Sequence, residues 1–169
     1  MQQWHEQLAD QTPVLIRPIH PADAPKERAF LLRLSEPSRH QRFLGVVQTP
    51  MEDAAHRLTH LDYRCEMALI ALVHSGGREL EVGAAAYCLS ADRGRCHCTV
   101  AVDDTWRNLG LGTTLMRHLI EVARANGVER MVAVDAAGCE QTHKLAARLG
   151  FRSTVDREDP ATVIFELAL

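Results

Sequence analysis

The chain has 169 residues, 46% of them hydrophobic and 24% charged, with a formal net charge of −3. That length suffices for one domain with a real core, and the composition excludes an intrinsically disordered chain. The slight acidity supplies no basic field, which argues against a nucleic-acid partner.

Residues 1–12 are expected as a mobile N-terminal extension of a single domain spanning 1–169. Residues 12–17 (TPVLIR) are short, β-branched and proline-bounded, and read as a first strand. His20-Pro21-Ala22-Asp23 opens a helix whose apolar part is Ala29, Phe30, Leu32 and Leu34. A second helical stretch carries Arg42, Phe43 and Leu44. Pro50 opens a third over 51–61, with Ala54, Ala55, Leu58 and Leu61 at helical spacing.

The middle of the chain changes period. Strands are predicted over 66–74, 80–90 and 95–103, separated by the turn signals Ser75-Gly76-Gly77-Arg78 and Ala91-Asp92-Arg93-Gly94. Three strands with two short turns make an antiparallel meander. A helix from about Thr113 follows, with Leu115, Met116, Leu119, Ile120 and Ala123 on one stripe and Asn126-Gly127 at its end. Then come a strand over 128–135, a helix over 140–149, and strands over 151–155 and 162–169. The order predicts an α+β domain with a mixed central sheet of about seven strands.

Five cysteines without a secretory leader pattern at the N-terminus fit free thiols in a reducing cytoplasm. No apolar run is long enough to span a membrane. Cys96-His97-Cys98 has the residue types of a metal site, but no second ligand pair stands at finger-like spacing, so it reads as three residues of one strand and no metal is expected.

One segment carries chemistry. Between the third meander strand and the helix lies Arg107-Asn108-Leu109-Gly110-Leu111-Gly112, followed by Thr113. The first N–H groups of a helix have no intrahelical partner, and with the helix dipole they form an anion site. Glycines 110 and 112 let the backbone approach a diphosphate, and Arg107 adds charge-assisted hydrogen bonds. A dinucleotide loop would need a parallel strand–helix–strand unit, whereas this loop follows an antiparallel meander.

That Arg-x-x-Gly-x-Gly pattern, with Val100-Ala101-Val102 before it and 145–151 (LAARLGF) after it, resembles the GNAT superfamily of N-acyltransferases. Ile16-Arg17-Pro18, Pro21-Ala22-Asp23, the run Ser38-Arg39-His40-Gln41-Arg42-Phe43, and 61–68 (LDYRCEMA) are similar to the acetyltransferase domain of bacterial protein lysine acetyltransferases. The resemblance covers about residues 14–155 and implies acetyl transfer from acetyl-CoA to a primary amine, protein lysine or small molecule, by direct attack. A non-catalytic acyl-CoA-binding sensor is the alternative. A monomer or a homodimer is expected, without nucleic acid or membrane.

The resemblance also implies site residues. The loop (Arg107, Asn108, Leu109, Gly110, Leu111, Gly112 and Thr113) takes the pyrophosphate, and Val100 and Val102 hydrogen-bond the pantetheine arm through their backbones. Cys139 occupies the position of a cofactor-binding Asn. His97 falls where the lysine acetyltransferase domains carry a catalytic Glu; imidazole, with an ordinary pKa of about 6.5, suits a general base. Ala146 stands where many members carry a Tyr acid. His143 and Lys144 on the last helix read as solvated surface residues rather than contacts of CoA phosphates, and Glu66 reads as an exposed charged strand end rather than an acceptor contact. In a regular strand His97 faces away from Cys96 and Cys98, which disfavours an acyl-cysteine route.

Overall fold

The computed structural model describes residues 2–42, 50–91 and 94–169, and of Gln41 the backbone alone. Phe43 and Leu44 of the second predicted helix, and Asp92 and Arg93 of the second predicted turn, lie outside the described residues.

Eight strands among the described residues form one sheet in the order β1-β2-β3-β4-β5-β6-β8-β7. They are β1 (Trp4–Gln7), β2 (Pro13–Pro18), β3 (Glu66–Ser75), β4 (Arg78–Leu89), β5 (Arg95–Val102), β6 (Arg130–Ala136), β7 (Arg152–Val155) and β8 (Thr162–Ala168). All neighbours are antiparallel except β5 and β6. The meander is therefore where the sequence placed it. At its first turn Ser75 pairs with Arg78, and Gly76 and Gly77 both take positive φ (58° and 76°). That is the backbone of a two-residue hairpin whose twist matches the strands, and it needs glycine-like residues at both central positions.

The residues at 1–12 differ from expectation, because Trp4–Gln7 forms an edge strand on β2. Its polar sequence carries little apolar alternation; what holds it is a partner far along the chain. Trp4 stacks on His118 with ring centroids 4.5 Å apart, and Glu6 Oε1 lies 2.8 Å from His118 Nε2.

Helices cover both faces. On one lie α1 (Ala24–Arg33), α2 (Glu36–Arg42) and α3 (Met51–Thr59); on the other lie α4 (Leu111–Ala125) and α5 (Glu140–Leu149). The α4 stripe is the predicted one: Leu115, Met116, Leu119, Ile120 and Ala123 are buried against alternate residues of β3, β4 and β5. In α1 the inward residues are Phe30 and Leu31, while Leu32 is 51% exposed.

Ion pairs fix the helices of the first face. Arg17 grips both oxygens of buried Asp23 at 2.7 Å, and the Asp23 carboxylate also accepts the His20 N–H at 2.9 Å, which closes the cap before α1. Burial opposes the Asp23 charge, but these hydrogen bonds outweigh it and hold the group down to about 2. Arg42 and Glu27, both buried, pair at 3.0 Å and tie α2 to α1.

Candidate active site

The parallel seam between β5 and β6 is three residues long: Arg95 with Arg130, Cys96 with Met131, and His97 with Val132. Beyond it β5 runs on to Val102 and β6 to Ala136 without pairing to each other, so the sheet opens into a V. A cleft of about 780 Å³ fills the opening, a size suited to a cofactor-scale ligand. Val100 and Val102 form its β5 wall, Ala133 and Asp135 lie on the β6 wall, and Leu145 and Arg148 reach in from α5. Pro37, Ser38 and His40 of α2 border it from the opposite face of the sheet. The cleft thus passes through the sheet from one helical layer to the other.

At the wide end of the V stands the glycine loop. Asn108 (φ 61°) and Gly110 (φ 84°) both adopt the left-handed conformation, and Gly110 is the cap residue of α4. A side chain at Gly110 would be strained by that φ, although nothing lies within 4 Å of a Cβ built there. The Thr114 N–H is bonded to the Gly110 carbonyl at 3.1 Å and begins the helical pattern; the amides of Leu111, Gly112 and Thr113 precede it. Two left-handed residues leading into a helix N-terminus turn the backbone so that its N–H donors can face a diphosphate.

Two props hold this loop. The Ala9 N–H, from the turn after β1, donates to the Leu109 carbonyl at 3.1 Å, and neighbouring Leu8 is buried in the main core. On the other side the Ser35 N–H donates to Asp104 at 3.0 Å; Arg107 pairs with Asp104 and donates to Ser38. The guanidinium is thereby aimed from the loop toward α2.

Among the residues expected to hold the cofactor, Val100, Val102, Arg107, Asn108, Gly110, Leu111, Gly112, Thr113 and Cys139 line the cleft. Leu109 does not; its side chain packs on the main core, leaving its backbone to shape the loop. Cys139 is the residue before α5 and makes no side-chain cap; its Sγ lies 3.2 Å from Thr142 Oγ1, and Thr142 in turn donates to Asp135. His97 is exposed on the face that carries α1 to α3, directly opposite Cys88 of β4, and does not line the cleft. Thr99, two residues on, shares that face and does line it.

Cys96 and Cys98 are buried on the opposite face, as alternation requires. Burial pushes the Cys96 thiol up to about 12 and the Cys98 thiol well above its ordinary value. Neither supplies a thiolate near neutral pH, which removes them as acyl acceptors. Among the described residues no three His, Cys, Asp or Glu side chains gather to hold a metal, and no helix is long and apolar enough to cross a membrane.

Sequence reasoning passed over Thr99, Gln141 and Arg148, and gave Ser38 and His40 no role in the cleft; all of them line it. The α2 contribution depends on packing against β5 about 60 residues along the chain, which no local pattern encodes.

Comparison with known proteins agrees with this geometry. The acetyltransferase (GNAT) family profile matches residues 36–151. An acetyltransferase of Pseudomonas aeruginosa is 42% identical over 166 residues, covering 98% of this chain and 89% of that protein. In solved structures, the GNAT domain of PAT from S. lividans superposes with a TM-score of 0.85 at 22% identity, covering 99% of this chain and 97% of that one. A putative acetyltransferase of Salmonella typhimurium, solved with its cofactor acetyl-CoA, gives a TM-score of 0.69 at 18% identity over 92% and 94% of the two chains.

Proposed function

This chain belongs to the acetyltransferase (GNAT) family and is an acetyl-CoA-dependent acyltransferase; we propose that its acceptor is a primary amine, with a protein lysine the first candidate. The observation that carries the reading is the V between β5 and β6 with a helix N-terminus at its wide end. The diphosphate of acetyl-CoA sits on the amides of the Gly110, Leu111, Gly112 and Thr113 segment, with Arg107 and Asn108 at its edge and Leu109 contributing backbone only. The pantetheine arm lies along β5, hydrogen-bonded by the backbones of Val100 and Val102, with Cys139 on its α5 side.

The acceptor approaches from the α2 face. A lysine ammonium, with an ordinary pKa of about 10.4, must lose a proton before its lone pair attacks the thioester carbon. His97 takes that proton. It stands two residues from Thr99, roughly 7 Å along the strand, so the proton reaches it through a relay of about two waters. The new C–N bond forms, the C–S bond breaks, and the thiolate leaves to take a proton from solvent. With Ala146 at the α5 position where many family members carry a Tyr, no side-chain acid is assigned to that last step. Free thiols support a reducing, cytoplasmic setting.

The test is an acceptor screen with lysine peptides, polyamines, amino acids and aminoglycosides, read as thiol release from acetyl-CoA. Turnover on lysine peptides above all others is the expected result. Turnover confined to free amino acids would overturn the protein-lysine assignment and leave the amine chemistry intact.

A further inference from the structure

At the bottom of the V, where the seam stops the gap from continuing, a second opening leads sideways. It is an apolar recess of about 50 Å³ between the sheet and the helices α4 and α5. Cys98, Thr99, Val100, Ala133, Thr142 and Leu145 belong to both the cleft and the recess, so the recess is a side bay that opens from the cleft at its narrow end. Its walls are Met116 from α4, Leu145, Ala146 and Leu149 from α5, and Phe151 and Phe165.

The chemistry of these walls selects the occupant. Apolar cavities of this kind hold water poorly, because a water there finds few of the polar partners it needs. The volume admits roughly three or four water-sized groups, which is also the scale of a short run of methylenes. Ala146 is the smallest side chain that α5 presents to the recess. Ala146 is 7% exposed and faces inward between Leu145 and Leu149, where a longer side chain would fill the space.

We propose that this recess receives the tail of the acyl group, so that the enzyme accepts short-chain acyl-CoA thioesters such as propionyl- and butyryl-CoA alongside acetyl-CoA, with Ala146 setting the length limit. The inference rests on the reading of the cleft as an acyl-CoA site. An arm lying along β5 reaches the seam with its thioester carbon over the mouth of the recess. Carbon atoms beyond the acetyl methyl then leave water for a hydrocarbon wall, and each buried methylene strengthens binding roughly fourfold.

The experiment is calorimetric and needs no turnover. Affinities of coenzyme A, acetyl-CoA, butyryl-CoA and hexanoyl-CoA are measured for the wild-type chain, for Ala146→Leu and for Leu149→Ala. In the wild type butyryl-CoA is expected to bind at least as tightly as acetyl-CoA. The butyryl-to-acetyl ratio is expected to fall about tenfold or more in Ala146→Leu. In Leu149→Ala, which enlarges the recess and guards against an overpacked first variant, the hexanoyl-to-acetyl ratio is expected to rise at least about threefold. Ratios that neither substitution moves would overturn the proposal, whichever thioester binds best. Coenzyme A is the control that separates the two readings: if it fails to bind, the cleft assignment falls, whereas its binding with indifference to acyl length removes the recess alone.

Discussion

The two ends of the cleft are built from different materials. The wide end is backbone: amides at the start of α4, two left-handed residues, and a loop tied by main-chain contact to Ala9 and by side chains to α2. The narrow end is side chains: Thr99 on one face of β5, with His97 two residues beyond it outside the cleft, buried thiols on the other face, and an apolar recess beside them. Backbone sites depend on conformation and tolerate many sequences, while side-chain sites depend on residue identity. Cofactor affinity should therefore be lost through conformation or charge at the first end, and turnover through chemistry at the second.

The strongest test of this division is His97→Ala. It should lower kcat by about 10² to 10⁴ while leaving acetyl-CoA affinity within about twofold, measured by steady-state kinetics and calorimetry. A full-rate variant rules His97 out as the base. Next in size, Gly110→Asp should weaken acetyl-CoA binding by about a hundredfold, since it sets a like charge against the diphosphate and strains a residue at φ 84°. Affinity unchanged by calorimetry would remove the loop from the site. A smaller effect is expected at Trp4→Ala, which takes away the ring stacked on His118 and loosens the turn that carries Ala9. KM for acetyl-CoA should rise roughly three- to tenfold with kcat little altered; a matching fall in kcat instead would mean that β1 supports the fold as a whole.

The smallest effect lies away from both ends and serves as their reference. The Asp23 carboxyl is held down to about 2 in the folded protein, against an ordinary value of 3.8. Its contribution is present above the unfolded value and is lost as pH falls from about 4 toward 2. Screening reduces it to about 1 kcal/mol. Asp23→Asn should lower stability at pH 7 by about that amount and flatten this part of the pH profile, with acetyl-CoA affinity unchanged. Thermal melts across pH 2–7 measure it.

The same division explains what could be read from the sequence. The meander, the α4 stripe and the glycine loop are patterns of segments contiguous in the sequence, and they stand in the structure near their expected bounds. Alternation along β5 likewise put His97 and the two cysteines on opposite faces in advance. β1 was not legible, because WHEQ gains its place from His118, over a hundred residues away. The loop was read as uniformly facing the ligand; Leu109, apolar and flanked by exposed neighbours, turns into the core instead. The recess was invisible for a further reason. It is a space, and the sequence marks it only by one small residue on α5.

The three-residue seam has a consequence for how this protein coexists with others. Strand edges are hazards, because unpaired main-chain groups recruit passing strands and promote aggregation. A sheet that opens in its middle creates two such edges. Here both are turned toward each other across a narrow slot, roofed by helices above and below, so that an outside strand cannot dock along them. What does fit is a guest one chain thick that carries its own amide groups. The fold has taken a defect that most proteins spend charges and prolines to suppress and made it a receptor for a linear molecule.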